Sequence, residues 1–550
     1  MRLDMKTLLA LRRRAAGLVS LAFAAGLAGC SLAPVYQRPE VPVAAVYPSG
    51  ATQAAEVAFP AGETAAADIG WRDFFRDPLL QQLIAIALDN NRDLRKAALN
   101  VEAAQALYRI RRADMLPNLG AVASSAVERV PADLSTAGVT RINRRHEAAG
   151  VASAWELDLW GRIRSLSDRA LASYLALAET RIATQMTLVA EVANAYLSLC
   201  ADQALLHLTA DTLETQRRSY ELTVQREGAG AATRLDLRRA EITLRNAEAQ
   251  HAVYTRQTAL DRNALVLLLG QPLTRELAAQ LDAAATLPDD VVPATIPSGL
   301  PSDLLARRPD IRAAEQTLLG ANADIGAARA AFFPTISLTG SAGTASADLD
   351  NLFNAGSGVW SFLPRITLPL FRGGALRVNL DLAHVQKRIE VANYEHAIQT
   401  AFREVADGLA RKGTLDAQIQ SEELSVQAGL SAYELAEQRY QEGMDDYLAL
   451  LDAHRTLYGA QQALVRTRLA RLTNRVDLYK ALGGGWSEHG IRTQARNSCL
   501  KSESLASNGA GHVLCHADPG RSSSRPFQDA RSGSLLSERV LGIAQGALVQ

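Results

Sequence analysis

The sequence lacks an excess of either charge and has few aromatic side chains. Its 550 residues include 58 Lys plus Arg and 58 Asp plus Glu, so the formal net charge at pH 7 is zero. That balance argues against nucleic-acid binding through phosphate contacts, which requires a basic face. Only 5% of residues are aromatic although 48% are hydrophobic, so small aliphatic side chains supply most of the apolar surface. This composition favours closely packed helices.

Prolines and long apolar runs are also scarce. The chain has 19 prolines, and long stretches contain none, which leaves few linkers between globular domains. Beyond the N-terminus, no stretch approaches the ~18 apolar residues of a membrane helix. Any passage through a membrane would therefore use β-strands, whose backbone groups can bond to neighbouring strands.

The four cysteines indicate neither a disulfide framework nor a metal centre. Cys200 lies within a helical pattern and is expected to pack as a small side chain. Cys499 and Cys515 lie near His512 and His516, but their spacing fits no standard zinc site. The sequence also contains no Walker A loop, H-E-x-x-H or G-x-S-x-G motif. We therefore predict no metal, no cofactor and no enzymatic activity.

The N-terminus has the features of a signal peptide over residues 1–29. Three arginines precede an apolar run, Ala15 to Ala28, that is too short to span a bilayer. The run ends in Leu27-Ala28-Gly29-Cys30, which resembles a bacterial lipobox and implies a lipidated Cys30 as the mature N-terminus. The following Ser31, by the same resemblance, implies sorting to the outer membrane. The alternative is an ordinary signal peptide followed by an incidental cysteine.

An internal repeat organises the rest of the chain. Residues 91–95 recur at 308–312 and residues 115–119 at 332–336, both at an offset of 217 that later shrinks to 213. We predict a lipidated extended segment over 30–70, one repeat over 71–287, a linker over 288–300 and a second repeat over 301–486. Residues 487–550, rich in Ser, Gly and Arg, are expected to be disordered.

Each repeat begins with a helix and two candidate strands. In the first repeat we expect a helix from about Pro78 to Ala113 and then two alternating segments, one with Leu119, Ala121 and Ala123 and one with Trp155, Leu157 and Leu159. In the second, the strands are expected over 335–342 and 359–371. Strands of ~9–11 residues can cross a bilayer when tilted. A pair of soluble hairpins is the alternative.

A heptad pattern follows each strand pair. Steps of four and three residues from Leu171 to Val224 are apolar at thirteen of sixteen positions, and no proline interrupts residues 161–271. We predict a helix to about Arg226, a turn over 227–230 and a returning helix to Leu269. The second repeat is expected to turn over 441–445. Each repeat therefore carries a long antiparallel helical hairpin.

The predicted fold is mainly α with a transmembrane β part. Four strands cannot close a barrel, and open edges in lipid leave backbone groups unsatisfied. Three copies would supply twelve strands, which is enough for a closed barrel. We therefore predict a homotrimer with a 12-stranded β-barrel on a 12-helix α-barrel.

Several segments in register resemble the TolC-like outer membrane efflux protein family, in its lipid-anchored OprM/NodT branch. The segments that carry the resemblance are residues 27–30, 71–75, 307–311, 330–334, 397–407, 439–443, 447–448 and 478–486. The resemblance implies a passive exit duct for small molecules that is anchored in the outer membrane and extends into the periplasm. It also implies a periplasmic adaptor and an inner-membrane transporter of the resistance-nodulation-division type as partners. A type I secretion duct and a purely structural coiled-coil lipoprotein are the alternatives.

The same resemblance implies a gate at the periplasmic helix ends. Leu448 would form an apolar constriction and Asp452 a charged ring, while Arg439, Tyr440 and Arg455 would tie neighbouring helices together. Leu448 and Asp452 are four residues apart and share a helical face. The alternative is that Leu448 is a seam residue and that Asp452 pairs locally with Arg455.

Two glycines, Gly228 and Gly443, are expected at the helical turns. A residue without Cβ permits a tight reversal and a close approach by another backbone. We therefore predict that these tips contact the adaptor. The alternative is a turn glycine with no partner.

Overall fold

The computed structural model describes residues 31–44, 46–47, 65–136, 138–284, 286–288, 290–293, 296 and 301–489. The described residues form ten α-helices, two 3-10 turns (Ala66–Asp68 and Leu349–Asn351) and four strands. The helices are α1 Trp71–Phe74, α2 Pro78–Asn90, α3 Arg92–Ala113, α4 Arg162–Gly228, α5 Arg234–Leu269, α6 Arg275–Ala283, α7 Pro301–Arg307, α8 Pro309–Ala330, α9 Ala375–Gln441 and α10 Tyr447–Ala481. The strands are β1 Leu119–Val130, β2 Arg141–Leu157, β3 Thr335–Ser346 and β4 Gly358–Thr367.

The predicted fold class, mostly helical with a small duplicated sheet, is confirmed. In each repeat a helical segment leads to two strands, and the strands lead to a long helical hairpin. The outgoing helices α4 and α9 each contain 67 residues, about 100 Å at ~1.5 Å per residue. None of the helices in the described ranges has both the length and the apolar composition of a membrane span.

The first helical segment is not one helix, as predicted, but two. Helix α2 ends at Asn90, and the side chain of Asn91 then accepts hydrogen bonds from the backbone N–H groups of Asp93 and Leu94 at 2.9 and 3.0 Å. The same side chain donates to the carbonyl of Leu268 at 2.9 Å. Asn91 therefore caps α3, and it links the break between α2 and α3 to the end of α5.

All four strands belong to a single antiparallel sheet in the order β1-β2-β3-β4. The two repeats join where β2 pairs with β3, with Trp155 opposite Leu338 and Leu157 opposite Ile336. Strands β1 and β4 are therefore the edges of this sheet. Several predicted strand boundaries were wrong. Strand β2 begins already at Arg141 and ends at Leu157, so Leu159 lies outside it. Strand β3 extends to Ser346, and β4 ends at Thr367, so Leu368 and Leu370 lie outside it.

The register divides the sheet into an apolar and a polar face, because cross-strand partners point to the same side. The apolar face collects those predicted alternating residues that lie within the strands, together with Val127, Ile142, Trp360, Phe362 and Ile366. The opposite face carries polar side chains such as Asn143, Glu147, Ser341, Ser361 and Arg365. Most of the apolar face is exposed in the single chain; the ring of Trp360, for example, is 77% exposed.

The core lies where the bases of the helical hairpins meet α1 and α2. The rings of Phe74 and Tyr479 stack with centroids 3.8 Å apart, and the Tyr479 hydroxyl donates to the carbonyl of Ile69 at 2.6 Å. A Cβ at Gly484 would lie 2.1 Å from the Tyr479 ring, so only glycine fits there. This contact fastens the end of the second repeat to the start of the first.

The predicted disorder from Ser487 onward is wrong for the first residues of that segment. The backbone N–H groups of Trp71 and Arg72 donate to the carbonyls of Ser487 and Glu488 at 2.9 and 3.1 Å. The side chains of Arg72 and Glu488 pair at 2.6 Å. Residues 490–550, with Cys499, Cys515 and the two nearby histidines, lie outside the described residues, as does Cys30.

Candidate functional site

The ends of the two helical hairpins contain every residue predicted for the gate and for the tips. In the first hairpin, α4 ends at Gly228, and the residue in the left-handed conformation is Gly230, with φ +74°. Thr233 then caps α5 in a reciprocal capping box with Asp236. The predicted turn glycine, Gly228, is therefore the last helical residue, and Gly230 makes the reversal.

The second hairpin turns with the same geometry. Helix α9 ends at Gln441, Gly443 has φ +77°, and the Asp446 side chain accepts a hydrogen bond from the Ala449 N–H at 3.1 Å to cap α10. Gly443 corresponds to Gly230 at the repeat offset of 213. A Cβ added at either glycine would meet no atom within 4 Å, so the left-handed backbone, rather than crowding in the single chain, favours glycine here.

Arg439 holds this second turn together. Its guanidinium donates to both carboxylate oxygens of Asp445 at 2.6 and 2.8 Å, and its carbonyl accepts from the N–H of Met444 at 2.9 Å. The hydrogen bond from Arg439 lowers the pKa of Asp445. The structure thus pairs Arg439 within its own turn.

Tyr440 links the two hairpins through a small buried cluster. Its ring lies edge-on to Tyr447 with centroids 5.7 Å apart, and Ala240 of α5 packs against both. The Arg226 guanidinium lies 4.7 Å from the centre of the Tyr440 ring, a cation–π contact from α4 to α9. The Ser219 hydroxyl donates to the Tyr447 hydroxyl at 3.4 Å. The sequence reasoning assigned no role to Arg226 or Ala240, because these contacts join segments about 200 residues apart.

Leu448, Asp452 and Arg455 lie on the outer surface of α10. Leu448 is 46% exposed, and the other two residues are exposed as well. In the part of the chain that the structure describes, Asp452 and Arg455 form no ion pair with each other, so the local pair weighed as an alternative is absent. The first turns of α10 thus carry an apolar residue and a carboxylate on one uncovered face.

His454 lies between the hairpins behind this face. Its Nδ1 is 3.1 Å from the Gln216 amide nitrogen, and its ring contacts Tyr433 edge-on and stacks on Tyr458. Burial lowers the pKa of His454, so the neutral ring is favoured. Two grooves, of about 260 and about 450 Å³, open on either side of it.

Comparison with known proteins identifies the family. A family described as outer membrane efflux protein matches residues 83–271 and 300–484, which cover both repeats. The chain belongs to the outer membrane efflux protein family. It is 50% identical over 476 residues to the antibiotic efflux pump outer membrane protein ArpC of Pseudomonas putida, covering 86% of this chain and 96% of that protein.

Two further similar proteins support the same family assignment. Outer membrane protein OprJ of Pseudomonas aeruginosa is 43% identical over 488 residues, which cover 87% of this chain and 98% of OprJ. The open state of the Neisseria gonorrhoeae MtrE outer membrane channel superposes with a TM-score of 0.74 at 38% identity, covering 84% of this chain and all of MtrE. The predicted resemblance to the OprM branch is thereby confirmed.

The N-terminal segment of this efflux family member lies along α8 in the antiparallel direction. Arg329 donates to the carbonyl of Leu32 at 3.2 Å, Asn322 to that of Pro34 at 2.8 Å, and Glu315 accepts two bonds from Arg38 at 2.8 and 2.7 Å. Six extended residues and fourteen helical residues both cover about 20 Å, so the two stretches match in length. Leu32 therefore lies at the end of α8 from which the chain enters β3.

No metal site appears within the described residues. They contain no group of three or more His, Cys, Asp or Glu side chains that could hold a metal ion. Cys200 is fully buried beside Tyr196, and burial raises the pKa of its thiol to about 12. A buried protonated thiol is a packing group rather than a nucleophile.

Proposed function

We propose that this chain forms the outer membrane duct of a tripartite efflux pump, through which small molecules leave the cell passively. The observation that carries the proposal is the joining of a two-faced, four-stranded sheet to two 67-residue helices and their returning partners in one chain. The strands would cross the outer membrane and the helices would extend into the periplasm. Such a duct needs no catalytic group.

The proposed duct is a homotrimer, because a single chain leaves both edges of its sheet unpaired. The strands alternate in direction from β1 to β4, so β4 of one copy would meet β1 of the next in the antiparallel sense. Three copies give about twelve strands, within the range of closed outer membrane barrels. Closure would satisfy the backbone groups at β1 and β4 that lipid cannot solvate.

Exposed apolar stripes on the helices favour the same assembly. The first four turns of α9 carry apolar side chains at spacings of four, three and four residues, and helix α3 buries no residue at all in the single chain. The exposed members of these stripes are Val378, Leu382, Val385 and Ile389 on α9 and Leu99, Leu107 and Ile110 on α3. In the proposed trimer, neighbouring copies cover them, which is the usual reason for such a stripe.

The names of the relatives favour efflux over type I secretion. ArpC is an antibiotic efflux pump protein, and another relative at 50% identity is a toluene efflux pump outer membrane protein of Pseudomonas putida. We propose that this chain exports small apolar molecules of this kind. It would do so together with a periplasmic adaptor and an inner-membrane transporter of the resistance-nodulation-division type.

Conductance in a planar bilayer tests the duct. Purified trimer should give discrete conducting steps, whereas a structural coiled-coil lipoprotein should give none. Expression in a strain that lacks its own efflux duct should then restore tolerance to toluene or antibiotics. Restored secretion of a protein substrate without restored tolerance would favour the type I secretion duct instead.

The helix ends are the proposed gate and the proposed adaptor contact. Three-fold symmetry would turn Leu448 into an apolar ring and Asp452 into a ring of three carboxylates, which repel one another and attract cations. Closure would then depend on Leu448 and on the links made by Tyr440. Arg455, which forms no ion pair with any described residue, is free to bind a neighbouring copy. The glycine turns at Gly230 and Gly443 present backbone that an adaptor could approach.

The proposed anchor is a lipid on Cys30. Only Ser31 separates Cys30 from Leu32, whose carbonyl is held by Arg329 at the sheet end of α8. This arrangement supports the anchor, because acyl chains on Cys30 would enter the membrane beside the strands. The protein would then be held in the outer membrane both by its sheet and by lipid.

A further inference from the structure

The β1–β2 hairpin carries two arginines on the apolar face of the sheet. Arg129 lies opposite Ile142, and Arg144 lies opposite Val127, so both side chains point to the same side as these apolar residues. In this register the two arginines are diagonal neighbours, about 7 Å apart. Both are exposed.

Neither arginine is neutralised by a carboxylate in the described ranges. Among the described residues, Arg129 and Arg144 form no ion pair, whereas Arg145 on the polar face pairs with Glu147 at 3.0 Å. An unpaired charge on a membrane-facing surface is costly unless a polar or charged group of the membrane meets it. The pair therefore needs an anionic partner at its own depth.

The depth of the pair follows from the strand. Arg144 and Trp155, which lies on the same face, are eleven residues apart on β2, and the register shift between Ala152 and Trp155 takes up one of them. The remaining ten steps cover about 33 Å along the strand and about 25 Å along the membrane normal at the usual tilt. That distance matches the apolar band of an outer membrane barrel, which is about 25 Å tall. Trp155 adjoins the helices, and its indole N–H donates to the carbonyl of Met115 at 3.1 Å. Arg129 and Arg144 would thus lie at the opposite, outer surface.

The β3–β4 hairpin has no such pair of arginines on the apolar face. On the same face, its outer end carries Thr344, Ser346, Gly358 and Trp360. An exposed tryptophan is typical of the boundary between lipid tails and headgroups. The positive charge is therefore a feature of the β1–β2 hairpin and not a general property of the outer end of the sheet.

We propose that Arg129 and Arg144 bind a phosphate group of the phosphorylated glycolipid, lipopolysaccharide, that forms the outer leaflet of the outer membrane. Guanidinium groups bind phosphate oxygens through paired, charge-assisted hydrogen bonds, and two of them at this spacing can hold one phosphate from both sides. The acyl chains of the same lipid would lie against Val127 and Ile142. Each trimer would carry three such sites. This inference rests on the proposed function, because it assumes that the sheet crosses the outer membrane.

Lipid A binding by purified full-length trimer tests the site. Fluorescent lipid A with both phosphates is titrated into detergent-solubilised trimer of the parent, of the double variant Arg129→Gln plus Arg144→Gln, and of Arg145→Gln. The double variant should bind about 30-fold more weakly, since each basic residue contributes about a fivefold effect at a lipid surface. Arg145→Gln, one residue away on the other face, should bind like the parent.

Two further binding measurements identify the ligand. Dephosphorylated lipid A should bind the parent as weakly as diphosphorylated lipid A binds the double variant, and inorganic phosphate at millimolar concentration should not compete. Equal binding by parent and double variant, equal loss in Arg145→Gln, or competition by inorganic phosphate would each overturn the proposal. Conductance is measured on the same samples. A parent trimer that does not conduct contradicts the proposed duct, whereas a conducting trimer with unchanged lipid binding contradicts only the lipid site.

Discussion

The guanidinium of Arg308 donates to Glu404 Oε2 at 2.7 Å across 96 residues of sequence. The same group makes two hydrogen bonds to Asp310 at 3.0 and 2.5 Å and one to the carbonyl of Ala481 at 3.0 Å. Arg308 is buried, and it joins the start of α8 to both helices of the second hairpin. The Arg-Arg-Pro-Asp segment, which contributed to the family resemblance, is thus a structural junction.

Replacing this junction residue should destabilise the fold. Arg308→Met leaves Asp310 and Glu404 without their cation, and breaking a buried pair costs about 3–5 kcal/mol. We expect the lower end, about 3 kcal/mol, because both carboxylates are partly exposed. Thermal unfolding of the purified trimer measures the loss. Arg307→Met, which removes a half-buried pair with Asp68 that carries no further hydrogen-bond network, should cost less, about 1 kcal/mol. Equal losses would show that burial of Arg308 is unimportant.

The gate residues should control conductance. Leu448→Ala combined with Asp452→Ala removes the apolar ring and the carboxylate ring, so single-channel conductance should rise roughly twofold or more. Cells should also become more sensitive to large antibiotics. Leu424→Ala, an exposed leucine of α9 far from the turn, serves as the control. A double variant that conducts like the parent, with trimers intact, would place the constriction elsewhere.

Substitutions at the turn glycines distinguish a role in backbone geometry from a role in adaptor contact. Leucine at both Gly230 and Gly443 should abolish efflux, because a left-handed backbone costs an L-residue about 1–2 kcal/mol and the side chain blocks approach. Asparagine tolerates this conformation, so Gly230→Asn plus Gly443→Asn keeps the turn but not the open surface. We expect these asparagine variants to lose efflux with trimers intact. Full efflux would mean that the glycines serve the turn alone. Gly228→Ala, within the helix, should be neutral.

Lipidation should depend on Cys30 alone. Cys30→Ser should abolish labelling by radioactive palmitate and processing by signal peptidase II. Trimers should still form, because the strands bury far more apolar surface than the acyl chains. Cys200→Ser should retain full labelling. Unchanged labelling in the Cys30 variant would refute the lipid anchor.

A half-buried carboxyl pair should make stability depend on pH. Burial and the neighbouring Asp261 raise the pKa of Asp202 from 3.8 to about 7. The folded state therefore holds a proton that the unfolded state releases, so the stability is present below about pH 4 and is lost as pH rises through about 7. Asp202→Asn should raise stability at pH 8 by roughly 1–2 kcal/mol, since solvent screens a half-exposed pair, and leave it nearly unchanged at pH 4. Thermal unfolding at the two pH values measures this. An equal gain in stability at pH 4 and pH 8 would refute the raised pKa of Asp202.

The sequence predicted the helical hairpins well because their signals are local. The heptad pattern, which begins at Leu171, and the absence of proline placed the end of α4 within about two residues of Gly228. The repeat offset could also have corrected the tip, since Gly443 maps onto Gly230 and not onto Gly228. Asn91 carried a capping signal within Asp89-Asn90-Asn91-Arg92-Asp93 that would have revealed the helix break.

The strands and the tip cluster were harder to predict. The first half of β2 is rich in arginine and lies before the alternating segment predicted from Trp155 and Leu157, although arginines fit a strand whose faces meet headgroups or water. Beyond Thr367, Pro369 lacks the N–H that a strand needs, so the alternating leucines there did not continue β4. The contact between Arg226 and Tyr440 depends on how two distant hairpins pack, which no local pattern reports.

The equal lengths of α4 and α9 restrict how the family can vary in evolution. Both helices have 67 residues, and their ends meet through Arg226 and Tyr440. Deleting one residue from only one of them would shift its end by about 1.5 Å and rotate it by about 100°. Insertions and deletions should therefore occur in both hairpins together and in multiples of seven residues, which restore the heptad register. The two repeats must therefore keep long helices of equal length, because the helix end of each repeat packs against that of the other.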